Sequence, residues 1–404
     1  MKRMRLGAID VGTTKVCTIM ADNGGVSGLR ILGVGVTPAE GMHKGMVVDV
    51  NVAKNAIRQS VDQAERIAGY KLESATVGIT GRHITSATKQ GAIAITRHDQ
   101  LVQPGDLKRV LEVAQTVHIP NDNKLLHVIP RTYRVDGQDG VANPVGMHGS
   151  RLDVETHVIS AAITSIQNMT KCIRGAGVEV DDLVLEPLAS AQAVLTEQEK
   201  QEGVILADIG GGTTDIAIYK DNTVYHTAVL PVAGYQVTRD ISVGLGISFE
   251  LAEAIKKRYG NVAEQLHDRR DDTTLTEGGQ SISYSDLCDI IQMRVDELMR
   301  LIVLELPQGD YAKLVPAGLV LTGGGASLSG IAELAGKVTR LPSRVGVPFG
   351  LEGVSDALHS PAHATGVGLL MWHLGQSSQP EEKVKDKEGG LVKFVSRLMR
   401  LFRK

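Results

Sequence analysis

Asp208-Ile-Gly-Gly-Gly-Thr-Thr-Asp215 stands between two apolar runs, Gly203-Val-Ile-Leu-Ala207 and Ile216-Ala-Ile-Tyr219. The pattern predicts a strand, a tight glycine turn and a second strand. Consecutive glycines permit positive φ and leave no Cβ between backbone and ligand. Successive bare N–H groups in such a turn form a concave anion site. The two threonines add hydroxyl donors, and Asp208, closing the strand, suits a hydrated Mg²⁺. Together these fit the terminal phosphates of a nucleotide.

A single glycine turn is equally a plain hairpin. A second copy changes that. Asp10-Val-Gly-Thr-Thr-Lys15 also follows an apolar run, Leu6-Gly-Ala-Ile9, and precedes another, Val16-Cys-Thr-Ile-Met20. A third glycine turn, Leu321-Thr-Gly-Gly-Gly-Ala326, comes late in the chain. Two Asp-Gly-Thr hairpins and a late Thr-Gly-Gly-Gly describe two related lobes closing on one nucleotide.

At 404 residues the chain exceeds one ordinary core, so several subdomains are expected. It is 42% hydrophobic and 22% charged, ordinary for a globular protein. The net charge of −3 gives no global pull toward nucleic acid, and 3% aromatic content offers no base-stacking platform. Cys17, Cys172 and Cys288 are far apart with no metal-ligand spacing, which predicts buried thiols in a reducing cytosol. The basic start is interrupted by Asp10 and does not read as a signal peptide. No apolar stretch approaches the ~20 residues of a membrane span.

Taken in order, residues 1–83 and 155–190 read as a first α/β lobe, with a helix over 51–68 capped by Asp49 or Asn51. Residues 84–154 read as an inserted α+β subdomain, with Glu155–Ala161 resuming the lobe as a strand. A second lobe occupies 191–230 and 307–374, with an upper subdomain over 231–306. That subdomain holds a polar hairpin loop before residue 283 and a long amphipathic helix over 285–306, with Ser285 as its cap. Two helices rich in small residues, one from Glu186 and one from Ala362, would cross as a hinge.

Residues 375–390 are polar and charged, a disordered linker on composition. In the closing stretch, Leu391 to Lys404, helical spacing puts Leu391, Phe394, Val395, Leu398 and Phe402 on one half of the wheel. Lys393, Arg397, Arg400 and Arg403 fall on the other, with no acid. Such a face needs a partner. Anionic lipid suits it, each basic residue adding roughly 1 kcal/mol; another protein partner or the chain's own core are the alternatives.

The paired hairpins, the late glycine turn and the small-residue helices resemble the actin/Hsp70/sugar-kinase ATPase superfamily. Within it, Gly41-Met-His-Lys-Gly45, Leu126-His-Val-Ile-Pro130, Asn143-Pro-Val-Gly146 and Asp208 to Ala217, with the linker and tail, are similar to FtsA, the bacterial actin-like cell-division family. The likeness spans essentially the whole chain. It implies a two-lobed fold of duplicated RNase H-like cores with the family's own insert. It further implies ATP and Mg²⁺ binding with at most weak ATPase activity, and filament formation through self-association. The family tethers the FtsZ ring to the cytoplasmic face of the inner membrane at the septum and helps recruit other divisome proteins.

The same resemblance assigns residues. Gly12, Thr13, Thr14 and Lys15 would hold phosphates from the first lobe, and Gly210, Gly211, Gly212 and Thr213 from the second. Asp10 and Asp208 would order the Mg²⁺ waters. Gly323, Gly324 and Gly325 would lie against adenosine, with Gly234, Glu253 and Lys256 on the ribose and base; Glu253 and Lys256 are otherwise a surface pair. Glu186 would position the attacking water. Arg294, on the long helix, would meet the acidic C-terminal tail of FtsZ, or is simply a solvated charge.

A sugar-type kinase shares this cleft but needs a substrate base that the sequence does not single out, and it leaves the tail without a purpose. A PilM-like pilus-assembly ATPase is closer, though such a tail is not expected there. An Hsp70-like chaperone needs a large further domain after the ATPase, for which too few residues remain.

Overall fold

The computed structural model of the protein describes residues 4–24, 28–115, 120–263, 274–306, 311–354 and 356–377. The chain opens with β1 (Arg5–Val11) and β2 (Lys15–Asp22), an antiparallel hairpin continued by β3 (Arg30–Pro38). A two-residue-per-strand hairpin, β4 (Met42–His43) and β5 (Met46–Val47), leads into α1 (Val50–Ala68). Asp49 caps α1 by accepting from the Asn51 and Val52 amides, and Ala53, Ala56, Ile57, Val61 and Ala64 form its buried stripe. β6 (Ser74–Ile79) then pairs parallel with β1.

The insert follows. β7 (Ile84–Ala94), α2 (Pro104–Gln115), β8 (Asn123–Val135), β9 (Gln138–Val141) and β10 (Arg151–Ala162) form a sheet ordered β7-β10-β8-β9, with α2 on one face. Glu155–Ala161, read as returning to the first lobe, belongs instead to this sheet. β10 pairs with β7 and β8 along its whole length, bending at a register shift beside Glu155.

α3 (Ile163–Gly175) and β11 (Glu179–Leu185) complete the first sheet, and α4 (Glu186–Val194) leaves it. After the short α5 (Glu197–Glu202) come β12 (Val204–Ile209), β13 (Thr214–Lys220) and β14 (Thr223–Leu230). The upper part carries α6 (Gly234–Leu245), α7 (Phe249–Tyr259), the hairpin β15 (Thr274–Glu277) and β16 (Gln280–Ser283), and α8 (Tyr284–Leu304). The α8 cap is Ser283, two residues before the expected Ser285; its hydroxyl accepts from the Asp286 amide. The chain then runs through α9 (Tyr311–Leu314), β17 (Leu319–Thr322), α10 (Ile331–Thr339), β18 (Ser343–Val345) and β19 (Glu352–Gly353) to α11 (Ala364–Ser377).

The first sheet runs β11-β6-β1-β2-β3, extended at its edge by β19, and the second runs β18-β17-β12-β13-β14. Strand directions match as well: the first three strands of each are antiparallel, the fourth joins the first in parallel and the fifth joins the fourth in parallel. The two lobes are one topology used twice. α4 follows the first sheet but packs under β12 and β13; α11 follows the second but packs under β1, β2 and β6, and the two helices cross against each other. Residues 364–374, expected with the second lobe, therefore lie on the first-lobe sheet. A Cβ on Gly368 of α11 would overlap the Ala189 carbonyl of α4, so the crossing is as close as two backbones permit.

α11 continues through Ser377, three residues into the segment read as linker. Linker residues 378–390 and the whole tail, with Leu391, Lys393, Phe394, Val395, Arg397, Leu398, Arg400, Phe402 and Arg403, lie outside the described residues. Among the described residues no helix is long and apolar enough to cross a membrane. Cys17, Cys172 and Cys288 are free and buried.

Candidate functional site

The two glycine turns are closed in the same way. The Gly12 amide donates to the Lys15 carbonyl at 3.0 Å, and the Gly210 amide to the Thr213 carbonyl at 2.9 Å. The crossing helices bring the turns face to face. A Cβ on Gly211 would overlap the Thr14 side chain, and one on Gly212 would stand 2.6 Å from Thr13 Oγ1. Only glycine permits this apposition. The structure thus gathers Gly12, Thr13, Thr14 and Lys15 with Gly210, Gly211, Gly212 and Thr213 at one place between the lobes.

Beneath the turns lie four buried acids: Asp10 at the end of β1, Asp208 in β12, Asp215 in β13 and Glu186 at the start of α4. Burial pushes Asp10 up to about 6, with Lys15 pulling down and Asp208 adding repulsion. Burial likewise pushes Asp215 up to about 7, against hydrogen bonds from Thr80 and Thr213 and with repulsion from Asp208 and Asp10. Glu186 stands well above its ordinary value through burial and repulsion from Asp10, Asp215 and Asp208. Asp208 is raised by burial, less so because Ser190 and Thr365 donate to it and Lys15 is near.

Lys15 donates to the Ala362 carbonyl and lies 3.1 Å from His363 Nδ1. So many converging carboxyls with a lysine at their edge are a donor set that favours a hydrated divalent cation. Among the described residues no three His, Cys, Asp or Glu side chains stand close enough to hold one ion directly.

The third turn adjoins the second. Gly323, at φ 81°, lies where a Cβ would overlap Asp208 Oδ1, and Gly325 packs equally tightly on Ile209. Gly324 is open. The Gly234 amide donates to the Gly210 carbonyl at 3.1 Å. Lys256 Nζ donates to the Gly234 carbonyl at 3.2 Å, to Thr238 at 2.8 Å and to Glu253 at 2.6 Å. Burial lowers the Lys256 ammonium while Glu253 holds it up. Against burial, the Lys256 and Thr238 hydrogen bonds keep Glu253 below its ordinary range. Glu253 and Lys256 pair with each other, as surface residues would, yet the pair is tied to the glycine turn.

Thr80, Ser190, Asp215, His363 and Thr365 also belong to the site and were not among the residues expected there. Ser190 and Thr365 had a signal: each is a hydroxyl inside a run of small, mostly apolar helix residues. Arg294 sits apart, on α8, where its guanidinium joins Asp240 of α6 and Glu297, both at 2.5 Å.

The sequence model for the cell division protein FtsA matches residues 205–368, and that for the SHS2 domain inserted in FtsA matches residues 81–160. The chain is 42% identical over 374 residues to the cell division protein FtsA of Pseudomonas aeruginosa, covering 92% of this chain and 89% of that one. Among solved structures, a chain of the PilM-PilN type IV pilus biogenesis complex superposes with a TM-score of 0.65 at 16% identity, over 91% of this chain and 98% of that one. MreB 5 of Spiroplasma citri bound to AMPPNP does so with a TM-score of 0.55 at 13% identity, over 91% and 95%. At such identities these two likenesses speak for the fold alone, and that fold is the actin-like one.

Proposed function

Because the chain belongs to the FtsA family of cell-division proteins, we propose that it is an ATP-binding, polymerising tether for the FtsZ ring. The observation that carries the nucleotide reading is the pair of apposed glycine turns over the buried acids. The turns supply backbone N–H groups for phosphate; Asp10 and Asp208 would hold Mg²⁺ through water, and its positive charge would offset that of the phosphates and the acids. MreB 5, of the same fold, has been solved with AMPPNP, which supports the same cleft as the site here. Gly323, Gly324 and Gly325 face the nucleoside from one side, with Gly234, Glu253 and Lys256 on the other.

Glu186 would orient a water toward the terminal phosphate. Burial and repulsion from Asp10, Asp215 and Asp208 raise its midpoint, and the hydrolysis proposed is weak at most. Self-association, Arg294 as part of the contact with the acidic C-terminal tail of FtsZ, and recruitment of other divisome proteins complete the reading.

For the membrane, the support is sequence: the apolar half-wheel of Leu391, Phe394, Val395, Leu398 and Phe402, backed by Lys393, Arg397, Arg400 and Arg403. On this reading the protein sits peripherally on the cytoplasmic face of the inner membrane, at the septum. The test is co-sedimentation with anionic vesicles in Mg-ATP, comparing the full chain with one ending at Ser377, where α11 ends. The full chain alone should pellet. Equal behaviour of the two chains would remove the tether.

A further inference from the structure

Gly41-Met-His-Lys-Gly45, used above only as a mark of family likeness, forms the tip of the small hairpin β4–β5. Its two turn residues, Lys44 and Gly45, both have positive φ, 46° and 74°. Such turns take Asn, Asp or Gly by preference, and a lysine held there against preference is a reason to ask what its ammonium does.

The tip is pressed into the cleft. Lys44 Cα lies 2.9 Å from where a Cβ on Gly212 would be. The Gly45 amide donates to Thr13 Oγ1 at 3.1 Å, and a Cβ added to Gly45 would stand only about 3 Å from Thr80 and Gly81. His43 meets the ring of Tyr235 edge-on at 6.1 Å, and the Tyr235 amide donates to the Gly211 carbonyl at 2.7 Å. One short hairpin of the first lobe therefore meets the second-lobe turn directly at Gly212 through Lys44, and indirectly through His43 and the Tyr235 that bonds Gly211. Lys44 is half-buried, and among the described residues no acid pairs with its ammonium.

The order of contacts along the turn says which phosphate it would serve. Gly210 is joined to Gly234 and, through it, to Lys256 on the nucleoside side. Gly212, two residues on, faces Thr13 and Lys44. Lys15 reaches elsewhere, toward Ala362 and His363. We propose that Lys44 is a second phosphate-binding lysine of the cleft, contacting the terminal phosphate of a nucleoside triphosphate from the Gly212 side. This rests on the nucleotide reading above. It makes the hairpin a sensor of the third phosphate that bridges the two lobes.

The test is binding of ATP and of ADP, each with Mg²⁺, to the full chain and to Lys44→Asn and Lys44→Arg. Asparagine suits the turn and deletes the charge; arginine keeps the charge. Lys44→Asn should weaken ATP at least about tenfold, the scale of one charge-assisted contact, and ADP by less than about twofold. Lys44→Arg should stay within about threefold of wild type for both. An unchanged ATP-to-ADP ratio in Lys44→Asn, whether both affinities hold or both fall together, overturns the proposal while leaving the nucleotide reading intact. A wild-type chain that binds neither nucleotide overturns that reading and this proposal with it.

Discussion

Ser190, in the middle of α4, donates its hydroxyl to Asp208 Oδ2 at 2.5 Å; from α11, Thr365 donates to the same oxygen at 3.0 Å. The two hydroxyls are 3.1 Å apart. The crossing helices thus aim the second-lobe acid as well as joining the lobes. Removing a donor that orients a metal-ordering carboxylate costs on the order of tenfold in metal affinity. Ser190→Ala should therefore need about ten times more Mg²⁺ for half-maximal ATP binding. A superimposable Mg²⁺ titration would show that Ser190 merely fills space.

The same crossing depends on Gly368, whose missing Cβ admits the Ala189 carbonyl. Gly368→Val must push α4 and α11 apart. Overpacking of this kind costs about 1–3 kcal/mol, and here backbone rather than a side-chain end must yield. The urea midpoint should fall accordingly, and ATP affinity should fall with it, since Ser190 and Thr365 separate together. A destabilised variant with wild-type ATP binding would uncouple the hinge from the site.

The acid cluster makes a signed prediction about pH. Asp215 stands at about 7 in the folded chain against an ordinary 3.8. The folded state then binds more protons than the unfolded one between those values. Its contribution to stability is fully present below about 4 and is lost as pH rises through about 7. Buried His127 and His157, both held down to about 3, chiefly by burial, act in the opposite sense below their ordinary 6.5. Comparing wild type with Asp215→Asn cancels the histidines. Without nucleotide, the variant should be the more stable at pH 8, with the gap closing toward pH 5. Each pH unit between the two midpoints is worth at most about 1.4 kcal/mol, less because the four acids relax together. Parallel stability curves for the two chains would contradict the shift.

The glycine turns were legible because their chemistry is local: Asp10 to Lys15 and Asp208 to Asp215 each hold their own turn. The shared order of the two sheets was not, because pairings such as Ala8 with Thr76 and Ile205 with Leu319 join strands distant in sequence. Small residues announced that the helices from Glu186 and Ala362 pack closely, but not that each lies under the other lobe's sheet. The insert's end was misplaced for a related reason. β10 is one strand from Arg151 to Ala162, and what reads as a break at Glu155 is a register shift inside it. For α8, Ser283 and Ser285 are equally good caps in sequence; the hairpin β15–β16 delivers Ser283 to the helix end. Lys44 gave no chemical signal at all, since its place depends on a turn that the sequence does not mark.

Arg294 bears on the partner. Its guanidinium is held by Asp240 and Glu297, with a quarter of the side chain exposed. An acidic peptide that binds there must compete with two carboxylates already in place. Arg294→Glu should abolish binding of a peptide copied from the FtsZ C-terminal tail, and Arg294→Ala should weaken it about tenfold. Neither should change the melting behaviour by more than about 1 kcal/mol, the usual worth of a surface ion pair. Asp240→Asn is the sharper variant, because it frees the guanidinium and removes a like charge from the peptide's path. It should tighten binding severalfold, and most at low salt. Weaker binding by Asp240→Asn would mean that the ion pair builds the surface the peptide reads, and that Arg294 does not meet the peptide itself.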